Sequence, residues 1–257
     1  MGKVIIFDFD DAIYTSFNQK KIKEKKISRL EHILKKADLV IIENDINKAY
    51  SEQFNKNVIT ITGPIECNRY RPALNKNNKK VIMGWIGSPN SSIYLSLLEK
   101  PLEVLGKKYP GKFELLLIGA PNISNPNVTV DVQPWTLNSE LELLAKVDIG
   151  LMPLHDDVWS QGKGGYKILQ YMAIGIPTVA SPISINKILV RHGETGYLAS
   201  TEEEWTRFLE LLILDEQKRK DFGIRARQIA MNEYSFEHYS GIVIDEIKKL
   251  SSSKLYN

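Results

Sequence analysis

Three glycines and two lysines in the segment DDVWSQGKGGYKILQYMAIGIPTVAS, residues 156–181, carry the clearest chemical signal in this chain. Gly162, Gly164 and Gly165 let the backbone turn sharply out of the apolar run DIGLMPL, residues 148–154, into a periodic segment from Tyr166 to Ile174. Such a turn aims free N–H groups outward, with the positive end of the following helix behind them. With Lys163 and Lys167 beside it, the turn makes a seat for a diphosphate. Lys163, Lys167 and, just upstream, Asp156 are the candidate catalytic residues, and Gly164, Gly165 and Tyr166 are candidate binding positions. A glycine-rich turn flanked by two solvated lysines is the competing reading of the same residues.

A second cluster, Asp8, Asp10 and Asp11, ends the apolar run KVIIFDF at residues 3–9, where open α/β sheets place their sites. Two aspartates so spaced also resemble the opening of haloacid-dehalogenase phosphatases, which use a nucleophilic carboxylate and Mg²⁺. Ala12 departs from that pattern, and no later G-D-x-x-D metal loop follows. His32, His155, His192 and His238 show no zinc spacing, and Cys67 is the sole cysteine, so neither a metal site nor an internal disulfide is expected. His155 and Asp157 stand beside Asp156 in the loop after the central apolar run, as sugar contacts or as a polar rim.

The elements that must position these groups alternate strand and helix. Apolar runs at 3–9, 37–43 and 58–62 read as strands, with helices over 27–36 and 45–54, the second capped by Asp45. Gly63, Pro64, Pro72 and the run NKNNKK at 75–80 break the periodicity, which places a linker at 64–79 between a module at 1–63 and a second at 80–234. The second module opens on VIMGWI, residues 81–86, followed by Gly87 and Ser88 and a serine-capped helix from Ser91 to Lys108. Strands at 113–119 and 128–132, a loop with Trp135, and a helix over 137–146 lead to the central run. Beyond it come a strand at 177–181, a short helix at 183–190, a turn and strand at 193–198, and helices capped by Thr201 with Glu204 and by Asp215. A last helix fills the segment 235–257 and frays at its end.

The order GKGGYK, LQYMA, GIPTVAS resembles nucleotide-sugar glycosyltransferases of the GT-B type, most closely a bacterial subgroup of retaining family 4 with the pattern G-K-x-x-x-K-x-x-Q-Y-M-A-x-G-x-P. The resemblance covers residues 4–240 and also takes in FDFDDA at 7–12 and GETGYL at 193–198. It implies an α/β fold of two Rossmann-like modules, the N-terminal one truncated. It also implies transfer of a sugar with retention from a nucleotide-diphosphate sugar, which serves as substrate, with no cofactor or metal. Gly87, Ser88, Trp135, Gly164, Gly165, Tyr166 and Gln170 would then hold the donor, Gln170 on the ribose and Trp135 near the base, with an interface or core aromatic as the equal alternative for Trp135. Most of the family has two glutamates where Gly162 and Gln170 stand, and often arginine at Ser88, so the sugar contact must come from elsewhere. The last helix is expected to cross back to the first module.

At 257 residues, 43% hydrophobic, 25% charged and net charge +3, the composition is that of a soluble globular protein and does not suggest nucleic acid. No run approaches a membrane span, so a cytoplasmic enzyme of cell-envelope polysaccharide synthesis is expected, with peripheral membrane contact through the basic run KKIKEKKISR at 20–29 as one reading. The acceptor is a glycan, a lipid or a small molecule. The first module holds three strands where a full Rossmann domain has about six, so its open edge is expected to self-associate or to meet a partner chain. A noncatalytic nucleotide-sugar-binding subunit is the remaining alternative.

Overall fold

A computed structural model describes residues 3–15, 23–73, 79–121 and 123–253; residues 20–22 of the basic run, most of NKNNKK and the final four residues lie outside them. Two parallel sheets organise the chain. The first contains β1 (Ile6–Phe9), β2 (Leu39–Ile42) and β3 (Val58–Thr60) in the order β1-β2-β3, with β1 at an edge among the described residues. Helices α1 (Glu24–Lys36) and α2 (Asp45–Ser51) join these strands. Val40 and Ile42 alternate onto the α1 side and pack with Phe9, Leu30 and Leu34. The cap of α2 is Asn44, not Asp45: its side chain accepts from the Asn47 N–H. Asn44 has the extended backbone that a capping residue needs, and Asp45 is already helical.

The second sheet is built from β4 (Val81–Ile86), β5 (Phe113–Ile118), β6 (Thr129–Gln133), β7 (Ile149–Met152), β8 (Thr178–Ala180) and β9 (Gly196–Leu198). Its order, β6-β5-β4-β7-β8-β9, reverses direction between β4 and β7. Side chains alternate between two cores: Leu115 and Leu117 join Met83, Trp85 and Ile149 on one face, whereas Leu116 and Ile118 join Ile168, Tyr171 and Ile176 on the other. The connection after β4 is a 3-10 helix over Pro89–Leu98 that becomes α3 (Glu99–Lys108), where a single serine-capped helix was expected. Three serines and an asparagine among its residues weaken α-helix propagation there.

Helices α4 (Glu140–Lys146), α5 (Val158–Gln161), α6 (Tyr166–Ala173), α7 (Asn186–Leu189), α8 (Glu202–Leu214), α9 (Glu216–Glu233) and α10 (Phe236–Ser253) complete the chain. Thr201 and Asp215 cap α8 and α9 as expected, each accepting from the N–H three residues on. The single turn α5 lies where a loop was expected, and Asp157 caps it. Just before α10 the Tyr234 carbonyl accepts from the Ile65 N–H of the connecting segment at 2.9 Å, and within α10 the Tyr239 hydroxyl accepts from the Thr62 N–H at 3.3 Å. Arg227 ties the connecting segment down by donating to the carbonyls of Tyr70, Cys67 and Ala173.

Candidate functional site

In a doubly wound sheet the ligand crevice opens where strand order reverses, outside the carboxyl ends of the strands. Here that point lies between β4, which leads into Gly87, and β7, which leads into the glycine turn. Gly165 is the left-handed residue ahead of α6, with φ 77°, and a Cβ there would lie 2.6 Å from Leu189 Cδ1. The backbone N–H groups of Gly164, Gly165, Tyr166 and Lys167 make no backbone hydrogen bond among the described residues. The turn is aimed by the first module. Asn44 Nδ2 donates to the carbonyls of Gly162 at 3.0 Å and Lys163 at 3.2 Å, and Asn47 Nδ2 donates to Gly162 at 3.2 Å.

Both lysine ammoniums stand over indole rings, Lys163 at 5.5 Å from the Trp159 centroid and Lys167 at 4.6 Å from that of Trp85. Neither has a hydrogen bond or an ion pair among the described residues. Gly87 makes room for Lys167, because a Cβ there would sit 2.6 Å from its Nζ. Burial, and then the neighbouring charge of Lys163, bring the pKa of Lys167 down to about 7, with Asp11 opposing. The two lysines, Gly164, Gly165 and Tyr166 line a cavity of about 400 Å³.

Its opposite wall is acidic and belongs to the first module: Asp10, Asp11 and Glu43. Glu43 leans over the turn so closely that a Cβ on Gly164 would fall 1.3 Å from its Oε2. Burial raises the Glu43 pKa to about 8, with repulsion from Asp10, Asp11 and Asp8 adding to it. Burial likewise raises Asp11, against the pull of Lys163, and raises Asp8 beside Asp10. Sequence reasoning passed over Glu43, although it ends the β2 apolar run as Asp8, Asp10 and Asp11 end that of β1. Among the described residues no three His, Cys, Asp or Glu side chains are grouped to hold a metal ion.

Of the residues picked out in the sequence, Lys163, Gly164, Gly165, Tyr166 and Lys167 converge on this cavity, and Gly87 borders it through Lys167. Ser88 is exposed, its hydroxyl 3.3 Å from that of Ser91. Asp156 is exposed outside the cavity wall and accepts from Gln161 Nε2 at 2.5 Å. Gln170 does not reach the cavity. It is 4% exposed, and its amide donates to the Tyr70 hydroxyl at 3.1 Å, in place of the ribose contact expected of it. Tyr70 donates to Glu140 at 2.5 Å, as does the half-exposed indole of Trp135 at 2.7 Å, so one hydrogen-bonded chain runs from Trp135 to α6. Gly162 is a close approach between modules: a Cβ there would lie 2.2 Å from that of the fully buried Ala12. A glutamate at this position has no room while the modules are closed, which accounts for both Gly162 and Ala12.

Two parallel α/β modules, with a cavity between a glycine turn of one and the strand ends of the other, define the GT-B architecture. The profile of the family described as "Glycosyl transferases group 1" matches residues 80–215, and the chain belongs to that family of transferase enzymes. A curated relative, the GDP-Man:Man(3)GlcNAc(2)-PP-Dol alpha-1,2-mannosyltransferase of Dictyostelium discoideum, is 22% identical over 83% of this chain; the chain spans 46% of its length. Among solved structures, HepE of Anabaena in complex with UDP and glucose superposes with a TM-score of 0.76 at 14% identity, over 96% of this chain and 72% of that one. The pneumococcal O-GlcNAc transferase GtfA in complex with UDP and GlcNAc gives 0.74 at 11% identity, over 96% and 52%. Sucrose-phosphate synthase of Thermosynechococcus elongatus gives 0.70 at 14% identity, over 96% and 68%. At these identities the structural likeness establishes the fold alone.

Proposed function

We propose that the chain binds a nucleotide-diphosphate sugar with its diphosphate across the 163–167 turn, and transfers the sugar with retention to an acceptor facing the first module. The observation that carries this reading is the Lys167 ammonium, desolvated and in no ion pair or hydrogen bond among the described residues, lining one cavity with Lys163 and a turn whose N–H groups make no backbone hydrogen bond. A diphosphate supplies the missing charge, and the same groups stabilise it as it departs. The base lies along Trp135, which packs next to the left-handed Gly119. Uridine is the first choice of base on the strength of the UDP in the HepE and GtfA structures. The sugar hydroxyls face Asp10, Asp11 and Glu43, which take over from the glutamate that Gly162 displaces; Asp156 reaches them only if its loop rearranges on binding.

In this reading the reaction belongs to assembly of a cell-envelope glycan on the cytoplasmic side. Peripheral membrane contact runs through the exposed Lys23, Lys25, Lys26 and Arg29 of the basic run; no described helix is long and apolar enough to cross a membrane. Calorimetric titration with UDP, GDP and their hexose conjugates tests the donor site. Lys163→Ala and Lys167→Ala should each weaken nucleotide binding by about tenfold or more, the loss of one charge-assisted contact. Undiminished affinity in both variants overturns the proposal, and tight binding without transfer to any acceptor favours a noncatalytic subunit.

A further inference from the structure

A second, larger recess of about 720 Å³ opens beside the donor cavity, and no residue of the second module lines it. Its floor is the face of the small sheet turned away from α1, with Ile41 and Ile61, and its far wall is the α10 face bearing Phe236, Val243 and Ile244. Phe236, Ser240, Val243 and Ile244 recur at one-turn spacing, and the 40% exposed Ile247 extends that stripe past the recess. The recess therefore grades from an apolar trough along α10 to a polar end. That end shares Asp10, Glu43 and Gly63 with the donor cavity.

We propose that this groove holds the acceptor, and that the acceptor is an uncharged lipid with a hydroxylated head: its head meets Asp10 and Glu43, and its apolar body lies between Ile41 and α10. This rests on the donor reading, which sets the sugar at the shared end. Charge selects the head. Asp8, Asp10, Asp11 and Glu43 crowd one another enough that burial and mutual repulsion raise the pKa of Glu43 and Asp8, and a phosphate or carboxylate would add to that repulsion. A hydroxyl adds no charge: it donates to an ionised carboxylate and accepts from a protonated one such as Glu43. Apolarity selects the body, because a free sugar would leave Phe236, Val243 and Ile244 uncovered, whereas an alkyl chain buries them. The volume lies within the range of small-molecule sites.

The test is binding of alkyl glucosides to the full chain, with methyl, butyl, hexyl and octyl β-glucoside and octyl phosphate titrated below their micelle concentrations, and UDP titrated in parallel. Affinity should rise about fourfold per methylene from butyl to octyl, the increment of burying one CH₂. Octyl phosphate should bind at least tenfold more weakly than octyl glucoside, and Asp10→Asn with Glu43→Gln should narrow that gap. Ile244→Glu, at a half-exposed position, should weaken octyl glucoside at least tenfold and leave UDP affinity unchanged. No dependence on chain length, or octyl phosphate binding as tightly as the glucoside, overturns the proposal. So does a monomer–dimer equilibrium abolished by Ile244→Glu and unaffected by glucoside, which would make a second copy the occupant. Loss of UDP binding by the wild-type chain alone would sink the donor reading and leave the glucoside results legible.

Discussion

Burial brings the pKa of Lys167 down to about 7; a diphosphate bound as proposed should restore its full charge, so binding above neutrality should take up a proton. Nucleotide affinity should fall by up to tenfold per unit between about pH 7 and 9, read by calorimetry in buffers of different ionisation heat, and Lys167→Arg should flatten the profile. Glu43 titrates in the same range, so the profile is best taken in Glu43→Gln as well. The glutamate also has a signature in stability. Its folded pKa of about 8 lies above the ordinary 4.5, so the folded chain keeps a proton that the unfolded chain releases. Stability should therefore fall as pH rises from about 5 to 8. Relative to Glu43→Gln, the wild type should lose at least about 1 kcal/mol over that window in chemical denaturation. A parallel pH dependence in the two proteins would refute this account.

Among the elements, the start of α2 and the glycine turn act as one unit. Asn44 accepts from the Asn47 N–H as a helix cap and donates to Gly162 and Lys163 of the other module. Asn44→Ala removes both roles and should cost about 2–3 kcal/mol, whereas Asn44→Asp keeps the cap and should lose about half as much. Denaturant midpoints of the two variants check the ordering. The close approach of Gly162 to Ala12 makes a stronger statement. Gly162→Glu restores the residue type usual in the family, yet should lower the melting temperature and weaken nucleotide binding, because the modules must part to admit it.

At the scale of the whole molecule, the connecting segment and α10 hold the modules together. Arg227 bonds three carbonyls across the connector and α6. Losing it leaves partly buried acceptors unpaired, so Arg227→Ala should cost about 2–4 kcal/mol. It should also broaden the calorimetric transition towards two, as the small sheet and the six-stranded sheet begin to melt separately. A single sharp transition at the wild-type temperature would show that the modules are joined chiefly by the contacts at the glycine turn.

What the sequence determined by itself was local, and not all of that: the strands, two of the caps and the glycine turn, but not the cap of α2 or the 3-10 turn after β4. Runs such as VIMGWI and LVII have the unbroken apolarity of strands covered on both faces, Thr201 and Asp215 have the chemistry of caps, and GKGGYK has the glycine freedom of a tight turn and the charge of two lysines. The tertiary structure decided which groups face that turn. Glu43 is more than a hundred positions from Gly164, and only the closure of two sheets presses one on the other. Gln170 carries the same amide whether it meets a ribose or Tyr70; the connector passing beside α6 decides for Tyr70. Asp156 precedes the lysines in the chain yet stands outside their cavity, because α5, capped by the next residue, turns it towards solvent. Burial and the summed field of neighbouring charges set the ionisation of Lys167 and Glu43, and both depend on distances that no spacing along the chain encodes.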